Sequence, residues 1–519
     1  MSESSKLAQR FWELSQNQPE KLAIRFGMPG QTEDFDFAKF WRRVERLTGH
    51  LQLTYGLAEG QRVAWLGLNH ELQCVMLVAC ARLGLIFMPL NFRLAVAELS
   101  MVIKDAQPGL LVHDLLHTEV ADRLRSASAK NASGREMQVC ELHQLIDLTS
   151  PRHVTLPSLS DHADVLLVYT SGTTGLPKGA VHTQAGLLSN ALASQEAHDF
   201  NAHDIVLSTL PMFHVGGLCI QTLPALLAGV SVHLHPRFDA KAWLSAVSEG
   251  SSETRPTLSL LVPATLRAVL EHPDWPSANL QSLRGIMAGS STLPSAYLEK
   301  FHARGVPVGQ IYGTTETGPV SVVLKFKDAM ACMGYAGWPH AQLSLKLINA
   351  QGMTVSQGET GEVCVKGPNV MRGYWDGDKA LALNGLQDGW FHSGDMGYLD
   401  AHGCLQIVGR NKDMIISGGE NIYPAEIENA LVDFPGVAEC AVVGLPDERW
   451  GEVPVLVLTR EASIEGQNLR SEAILMHLQK QIARFKLPRR TLFLEHLPKS
   501  ALGKVQKSLL QQQLMASNS

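Results

Sequence analysis

A chain of 519 residues is too long for one ordinary hydrophobic core, and its size points to roughly two to four structural units. With 45% hydrophobic and 18% charged residues, 44 glycines and 25 prolines, it has the balance of a globular, loop-rich protein, which excludes a largely disordered chain. A formal net charge of −6 excludes a general nucleic-acid binder, which needs an excess of Lys and Arg to neutralise phosphates.

The first residues, Met1 to Lys6, carry neither the cationic head nor the apolar stretch of a secretory signal, so a cytoplasmic protein is expected. Downstream, short apolar runs alternate with helical patterns. Residues 62–66 read as a strand, 72–83 as a helix, 85–90 as a strand, 96–103 as a helix and 110–113 as a strand, the rhythm of a layered α/β domain. The most apolar segment, 72–90, is broken by Arg82, Gly84 and Pro89 and reads as a buried helix running into a strand, not a membrane span. The same rhythm returns at 204–210, 223–227, 230–233 and 258–262. Between 352 and 405 the texture changes to short strands and turn dipeptides, so a small β-rich subdomain is expected there. Beyond Arg410 a glycine loop, a helix opened by Pro424, strands at 440–444 and 453–458, a helix at 471–482 and a strand at 491–495 suffice for a separate α+β domain. Its tail is basic, from Lys480 through Arg484, Lys486, Arg489, Arg490, Lys499, Lys504 and Lys507, which suits a solvated face or an anionic ligand. Eight scattered cysteines form no C-x-x-C pair and are expected to be core thiols.

The densest chemical signal is the run from Tyr169 to Gly179, directly after the apolar strand 165–168. Glycines such as Gly172 and Gly175 let backbone N–H groups converge on an oxyanion; Thr170, Ser171, Thr173 and Thr174 add hydroxyl donors, and Lys178 adds a mobile cation. The run is not a Walker A loop, because Lys178 stands between Pro177 and Gly179. Three later sites complement a bound nucleotide. Tyr312, Gly313, Thr314, Thr315 and Glu316 offer an aromatic face for a base and a carboxylate suited to Mg²⁺. Asp395, after Ser393 and Gly394, suits a ribose diol, and Arg410 supplies a guanidinium near the domain boundary. Each of these is weak alone; a helix cap, a turn or surface charge explains any one of them.

Together with the segments Pro211 to Gly217 (PMFHVGG) and Pro498 to Lys504 (PKSALGK), these motifs resemble the adenylate-forming superfamily of acyl-CoA synthetases, luciferases and peptide-synthetase adenylation domains. The resemblance runs from about Ala23 to about Lys507, with the motifs in the family's order. It implies an α/β fold: a large N-terminal domain, residues 1–411, of two β-α layers plus a β-barrel-like subdomain, and a small mobile α+β C-terminal domain, residues 412–519. Thr170 to Lys178 would hold the ATP phosphates, and Glu316 with Thr173 would bind Mg²⁺. Tyr312 would pack on adenine, and Asp395 and Arg410 would hold the ribose. Lys504 would be the catalytic lysine, Lys412 the hinge and His214 the neighbour of the substrate carboxylate, while Gly418 and Gly419 would line a channel for the thiol arm of coenzyme A. The acyl pocket would be lined by His214, Val215, Gly216, Ala288, Gly289, Ile311, Gly313 and Thr314.

The implied activity is ATP-dependent acyl-CoA synthesis through an acyl-adenylate. Small lining residues favour a medium-chain, alicyclic or aromatic acid over acetate. Ser393 replaces the family's more usual threonine but keeps the hydroxyl. The alternatives are a free-standing adenylation enzyme that loads a carrier protein, no carrier segment following Ser519, or a non-catalytic nucleotide-binding protein. A homo-oligomer is compatible with either class.

Overall fold

The computed structural model describes residues 5–127, 136–146, 148, 154–171, 177–251, 254–289, 293–377, 381–383, 385–417, 420–447, 450–499 and 504–516. It begins with helix Lys6–Asn17, where Ser5 Oγ caps the N-terminus by accepting from Ala8 N–H at 3.1 Å. Helix Phe37–Leu53 is capped in the same way by Asp36. A side-chain oxygen satisfies an N–H that the first turn would leave unpaired. Phe11 and Phe40 stack with ring centroids 5.0 Å apart, joining the two helices over helix Glu71–Leu83. All thirteen residues of that third helix are buried, and Gly84 ends it with φ of 66°, a left-handed conformation that glycine adopts without strain.

Among the described residues two large sheets follow. Strands Asp164–Ser171, Ile86–Pro89, Arg62–Leu66, Leu110–His113 and Gln138–Glu141 run parallel in a seven-stranded sheet, closed on one side by the antiparallel strands Pro177–Thr183 and Gly373–Tyr374. The second sheet has nine strands, with Val308–Tyr312, Gly285–Gly289, Leu258–Leu261, Ile205–Ser208, Ser231–Leu234 and Leu22–Met28 parallel at its centre. Its far edge is therefore N-terminal chain, which the hydrophobic rhythm does not mark. The strands read from the sequence at 62–66 and 110–113 have the observed bounds, most others shift by a residue or two, and those at 165–168 and 440–444 extend to Asp164–Ser171 and Val437–Asp447.

The β-rich segment is an antiparallel sheet of Ser344–Ile348, Gly361–Lys366, Trp390–Leu399, Leu386–Gln387 and Leu405–Arg410. After the short turn Asn411–Asp413 a last sheet forms around the long hairpin Val437–Asp447 and Gly451–Arg460, with helices Ser471–Gln481 and Lys507–Ala516. The chain is thus a mixed α/β protein with a large N-terminal and a small C-terminal domain, which touch where Arg267 Nη1 donates to the Ala438 carbonyl at 2.9 Å. Much of the basic tail is paired within the small domain: Lys486 with Glu426, Lys499 with Glu439 and Lys507 with Glu428. Among the described residues no helix is long and apolar enough to cross a membrane. All eight cysteines are free and buried or half-buried.

One buried ion pair clamps the nine-stranded sheet. Asp204, whose side chain is 1% exposed, accepts from Arg284 Nε at 2.7 Å and Nη2 at 2.6 Å, and from Thr257 Oγ1 at 2.7 Å. Arg284 Nη2 also donates to the His198 and Asp199 carbonyls. Burial pulls the Asp204 carboxyl up, but these bonds outweigh it and hold it below the usual carboxylate range. Removing the cation strands a buried carboxylate, so Arg284→Ala is expected to cost about 3 kcal/mol in urea unfolding. A change below about 0.5 kcal/mol would show that solvent screens the pair.

Candidate active site

In open α/β sheets ligands bind in the crevice outside the carboxyl ends of the strands, and the parallel strands Gly285–Gly289 and Val308–Tyr312 end side by side here. Around these ends four charged or titratable side chains from distant parts of the chain meet. The Tyr312 hydroxyl donates to Asp395 Oδ2 at 2.9 Å, and Arg410 Nε donates to Asp395 Oδ1 at 2.8 Å. Asp395 and Arg410 are direct partners across the antiparallel strands Trp390–Leu399 and Leu405–Arg410. Burial raises the Asp395 carboxyl above its ordinary value against the pull of Arg410, Tyr312 and Lys504. For Arg410, burial pulls down, while Asp395 and Asp413 push up and prevail.

Lys504 approaches this pair from the small domain. The protein around it lowers its pKa by desolvation, and Arg410 lowers it further while Asp395 opposes. Its ammonium is also near enough to His214 to act on that ring, whose pKa is lowered to about 4 by burial first and by Lys504 second. His214 is therefore neutral at pH 7. Gly216 N–H donates to its Nδ1 at 3.0 Å, so the ring proton sits on Nε2, a donor suited to a carboxylate oxygen.

The phosphate-loop region is the end of a hairpin. Strand Asp164–Ser171 returns antiparallel as Pro177–Thr183, with Thr170 opposite Lys178 and Ser171 opposite Pro177. Among the described residues, the strand is followed by a strand and not, as in a P-loop, by a helix. Gly172, Thr173, Thr174 and Gly175 lie outside the described residues, as do Gly418 and Gly419. Lys178 Nζ lies 5.5 Å from the centre of the Tyr374 ring, and the Tyr374 hydroxyl donates to Glu316 Oε1 at 2.7 Å. Glu316 belongs to the short turn Thr315–Thr317, after Tyr312, Gly313 and Thr314. Thr314 N–H donates to Thr317 Oγ1, and the Thr314 hydroxyl is buried with no partner.

Several residues in this site carried no signal of their own. Tyr374 aims Glu316; Glu362 Oε1 accepts from Gly394 N–H at 3.0 Å; Asn369 Nδ2 donates to the Thr317 and Val320 carbonyls. A polar residue inside the alternating strand Gly361–Lys366 was the one hint of Glu362. The glycines of the expected acyl pocket, with the adjoining Gly217, divide into two kinds. A Cβ on Gly217 would fall 2.2 Å from the Pro211 carbonyl oxygen, on Gly289 2.5 Å from that of Ile311, and on Gly313 1.9 Å from that of Pro319. These three permit close backbone packing and open no space. At Gly216 a Cβ would meet only the ring of its own neighbour His214, nearest at 3.1 Å.

The AMP-binding enzyme family model matches residues 11–375, and that of the AMP-binding enzyme C-terminal domain matches residues 426–504. The chain belongs to this family. It is 44% identical to an indoleacetate–CoA ligase of Aromatoleum aromaticum over 499 residues, 95% of each chain. It is 39% identical to a feruloyl-CoA synthase of Amycolatopsis sp over 489 residues, 94% of this chain and 95% of that protein. The structure of o-succinylbenzoate CoA synthetase from Bacillus subtilis with its acyl-adenylate superimposes with a TM-score of 0.85 at 29% identity, covering 98% of this chain and 99% of that one. The AMP-binding enzyme described here is an acid–thiol ligase that joins a carboxylic acid to coenzyme A at the expense of ATP, through an acyl-adenylate. Its metal is Mg²⁺, and the hard oxygens of Glu316, with Oε1 oriented by Tyr374, fit that ion. When bound to the phosphates, Mg²⁺ offsets their negative charge.

The half-buried His214 and four buried histidines, His182, His198, His233 and His235, have pKa values lowered to about 4. Their unfolded values are near 6.5, so below that pH the unfolded chain binds protons that the native protein refuses. Stability should fall steadily from pH 6.5 toward 4, opposed at the acid end by Asp105, Asp164, Asp395 and Asp433, whose carboxyls are raised. Thermal unfolding midpoints at half-unit steps measure this; a flat profile from pH 7 to 5 would mean that these rings are solvated.

Proposed function

We propose that this ligase activates an aromatic acid in which a short arm separates the ring from the carboxyl group, as in arylacetates and hydroxycinnamates, and that it does so in the cytoplasm, where ATP and coenzyme A are at hand. The observation that carries the substrate class is Gly216. It follows His214 at the crevice, and unlike the other pocket glycines it leaves its side-chain direction unfilled by backbone. A flat ring slides against such a surface, and both relatives named above act on aromatic acids.

In this reading His214 Nε2–H steadies the carboxylate of the acid. Val215, Gly216, Ala288, Gly289, Ile311, Gly313 and Thr314 form the pocket. Thr170 to Lys178 hold the β- and γ-phosphates, Glu316 and Thr173 hold Mg²⁺, and Tyr312, Asp395 and Arg410 hold the nucleoside. The Asp395 oxygens, with room for more than one hydrogen bond each, take a ribose diol while keeping Arg410. Attack of one anion on another requires positive charge where they meet. Lys504 supplies it at the α-phosphate, and the converged positions of Lys504, Asp395 and Arg410 suit the first half-reaction. For the second, the small domain, taken as residues 412–519, turns about Lys412 so that Gly418 and Gly419 replace Lys504 at the crevice and admit the thiol.

Two measurements test this. Lys504→Ala should lower carboxylate-dependent pyrophosphate release by about two to three orders of magnitude while coenzyme A still captures supplied acyl-adenylate; equal loss of both half-reactions removes the assigned role. In a panel of acetate, butyrate, octanoate, benzoate, cyclohexanecarboxylate, phenylacetate, indole-3-acetate and a hydroxycinnamate, kcat/KM should peak at an aryl acid with an arm. Gly216→Phe should reduce that peak at least about tenfold and spare butyrate. An optimum at acetate or octanoate overturns the substrate class.

A further inference from the structure

Strands Gly361–Lys366 and Trp390–Leu399 carry three side chains that adenylation does not use as a set. Glu362 and Cys364 are two residues apart and share one face of their strand, and His392 stands directly opposite Cys364 in the register. His392 Nδ1 lies 3.6 Å from Cys364 Sγ and 3.5 Å from a Glu362 oxygen, Oε2. The donor atoms of all three residues lie within 4.8 Å of one another. In a tetrahedral zinc site, bonds of about 2.3 Å to sulfur and about 2.0–2.1 Å to nitrogen or oxygen set neighbouring donors roughly 3.3–3.6 Å apart. Two edges of this triangle thus already have the length that such a cation demands.

We propose that Glu362, Cys364 and His392 form a binding site for a thiophilic divalent cation of the zinc type, distinct from the Mg²⁺ that accompanies ATP. A buried thiol and an imidazole select such a cation over Mg²⁺, which prefers oxygen throughout. Cys364 is buried, while the Glu362 and His392 side chains are 23% and 25% exposed, so the cation enters from their side and water completes its coordination. On binding, the Cys364 thiol gives its proton to the buffer, and the thiolate with the Glu362 carboxylate balances the two positive charges. Lys346, opposite Cys364 on the neighbouring strand, is the cation already nearby, and its ammonium rests 4.3 Å from the centre of the Trp390 ring.

The site has a route to the nucleotide. Glu362 turns one oxygen toward His392 and accepts the Gly394 N–H with the other, and Gly394 precedes Asp395. A cation there would brace the turn that presents Asp395 by pinning the carboxylate that holds it.

The test is Co²⁺ titration of the full-length protein in excess Mg²⁺, followed by absorbance. One Co²⁺ per chain is expected, with a thiolate-to-cobalt charge-transfer band, strong tetrahedral d–d bands, and displacement of both by Zn²⁺. Cys364→Ser should abolish the charge-transfer band, Cys332→Ser should keep it, and His392→Gln should weaken Co²⁺ binding at least about tenfold. Zn²⁺ should raise the thermal midpoint of the unmodified protein and leave that of Cys364→Ser unchanged. No charge-transfer band in the unmodified protein, or a full band in Cys364→Ser, overturns the proposal. If Cys364→Ser does not fold, unaltered affinity in the partly exposed His392→Gln overturns it instead.

Discussion

The buried carboxylate of Asp395 is the point on which the architecture turns. A carboxylate that has lost most of its water needs donors from protein, and here they come from Tyr312, at the end of a parallel strand of the nine-stranded sheet, and from Arg410, in the last strand before the small domain. One side chain therefore joins three units that the chain builds separately. The cost of leaving it unpaired keeps the sheet end, the antiparallel subdomain and the domain junction in register.

That arrangement also explains the electrostatics of the crevice. Two cations, Arg410 and Lys504, share the field of one carboxylate, and the pKa of Lys504 is lowered while that of Arg410 is raised. The same enclosure keeps His214 neutral, a hydrogen-bond donor without a charge of its own. Positive charge is thereby gathered at Arg410 and Lys504 and kept off His214. Nearby, Gly217, Gly289 and Gly313 bring carbonyls to distances that no side chain tolerates. In the proposed pocket, shape would be set by main chain and by Gly216.

Binding and support are carried by different residues in this molecule. Glu316 is held by Tyr374, the Ser393–Asp395 turn by Glu362, and the loop after Tyr312 by Asn369. None of these supporting residues is adjacent in sequence to the group that it orients. Reading the chain for dense polar motifs finds the oriented group and passes over its support, because one polar residue in a strand has the same local appearance whether it faces solvent or a hydrogen-bond donor.

Local periodicity determined the strands at 62–66 and 110–113 and the helix from about 71 to 83, because an element buried on both faces or on one stripe must show that burial in its own residues. The combination of motifs likewise pointed to the reaction class, through its resemblance to a family of adenylate-forming enzymes. Tertiary structure alone decided which strands lie side by side. The pairing of Leu22–Met28 with Ser231–Leu234 joins residues about two hundred positions apart, and no local pattern encodes such a contact. It also decided that the strands on either side of the phosphate-loop motif pair with each other, that Gly289 and Gly313 of the expected pocket face carbonyls, and that Cys364 meets His392 and Glu362. Each of these depends on a distance between segments remote in sequence, and such distances exist only once the sheets have formed.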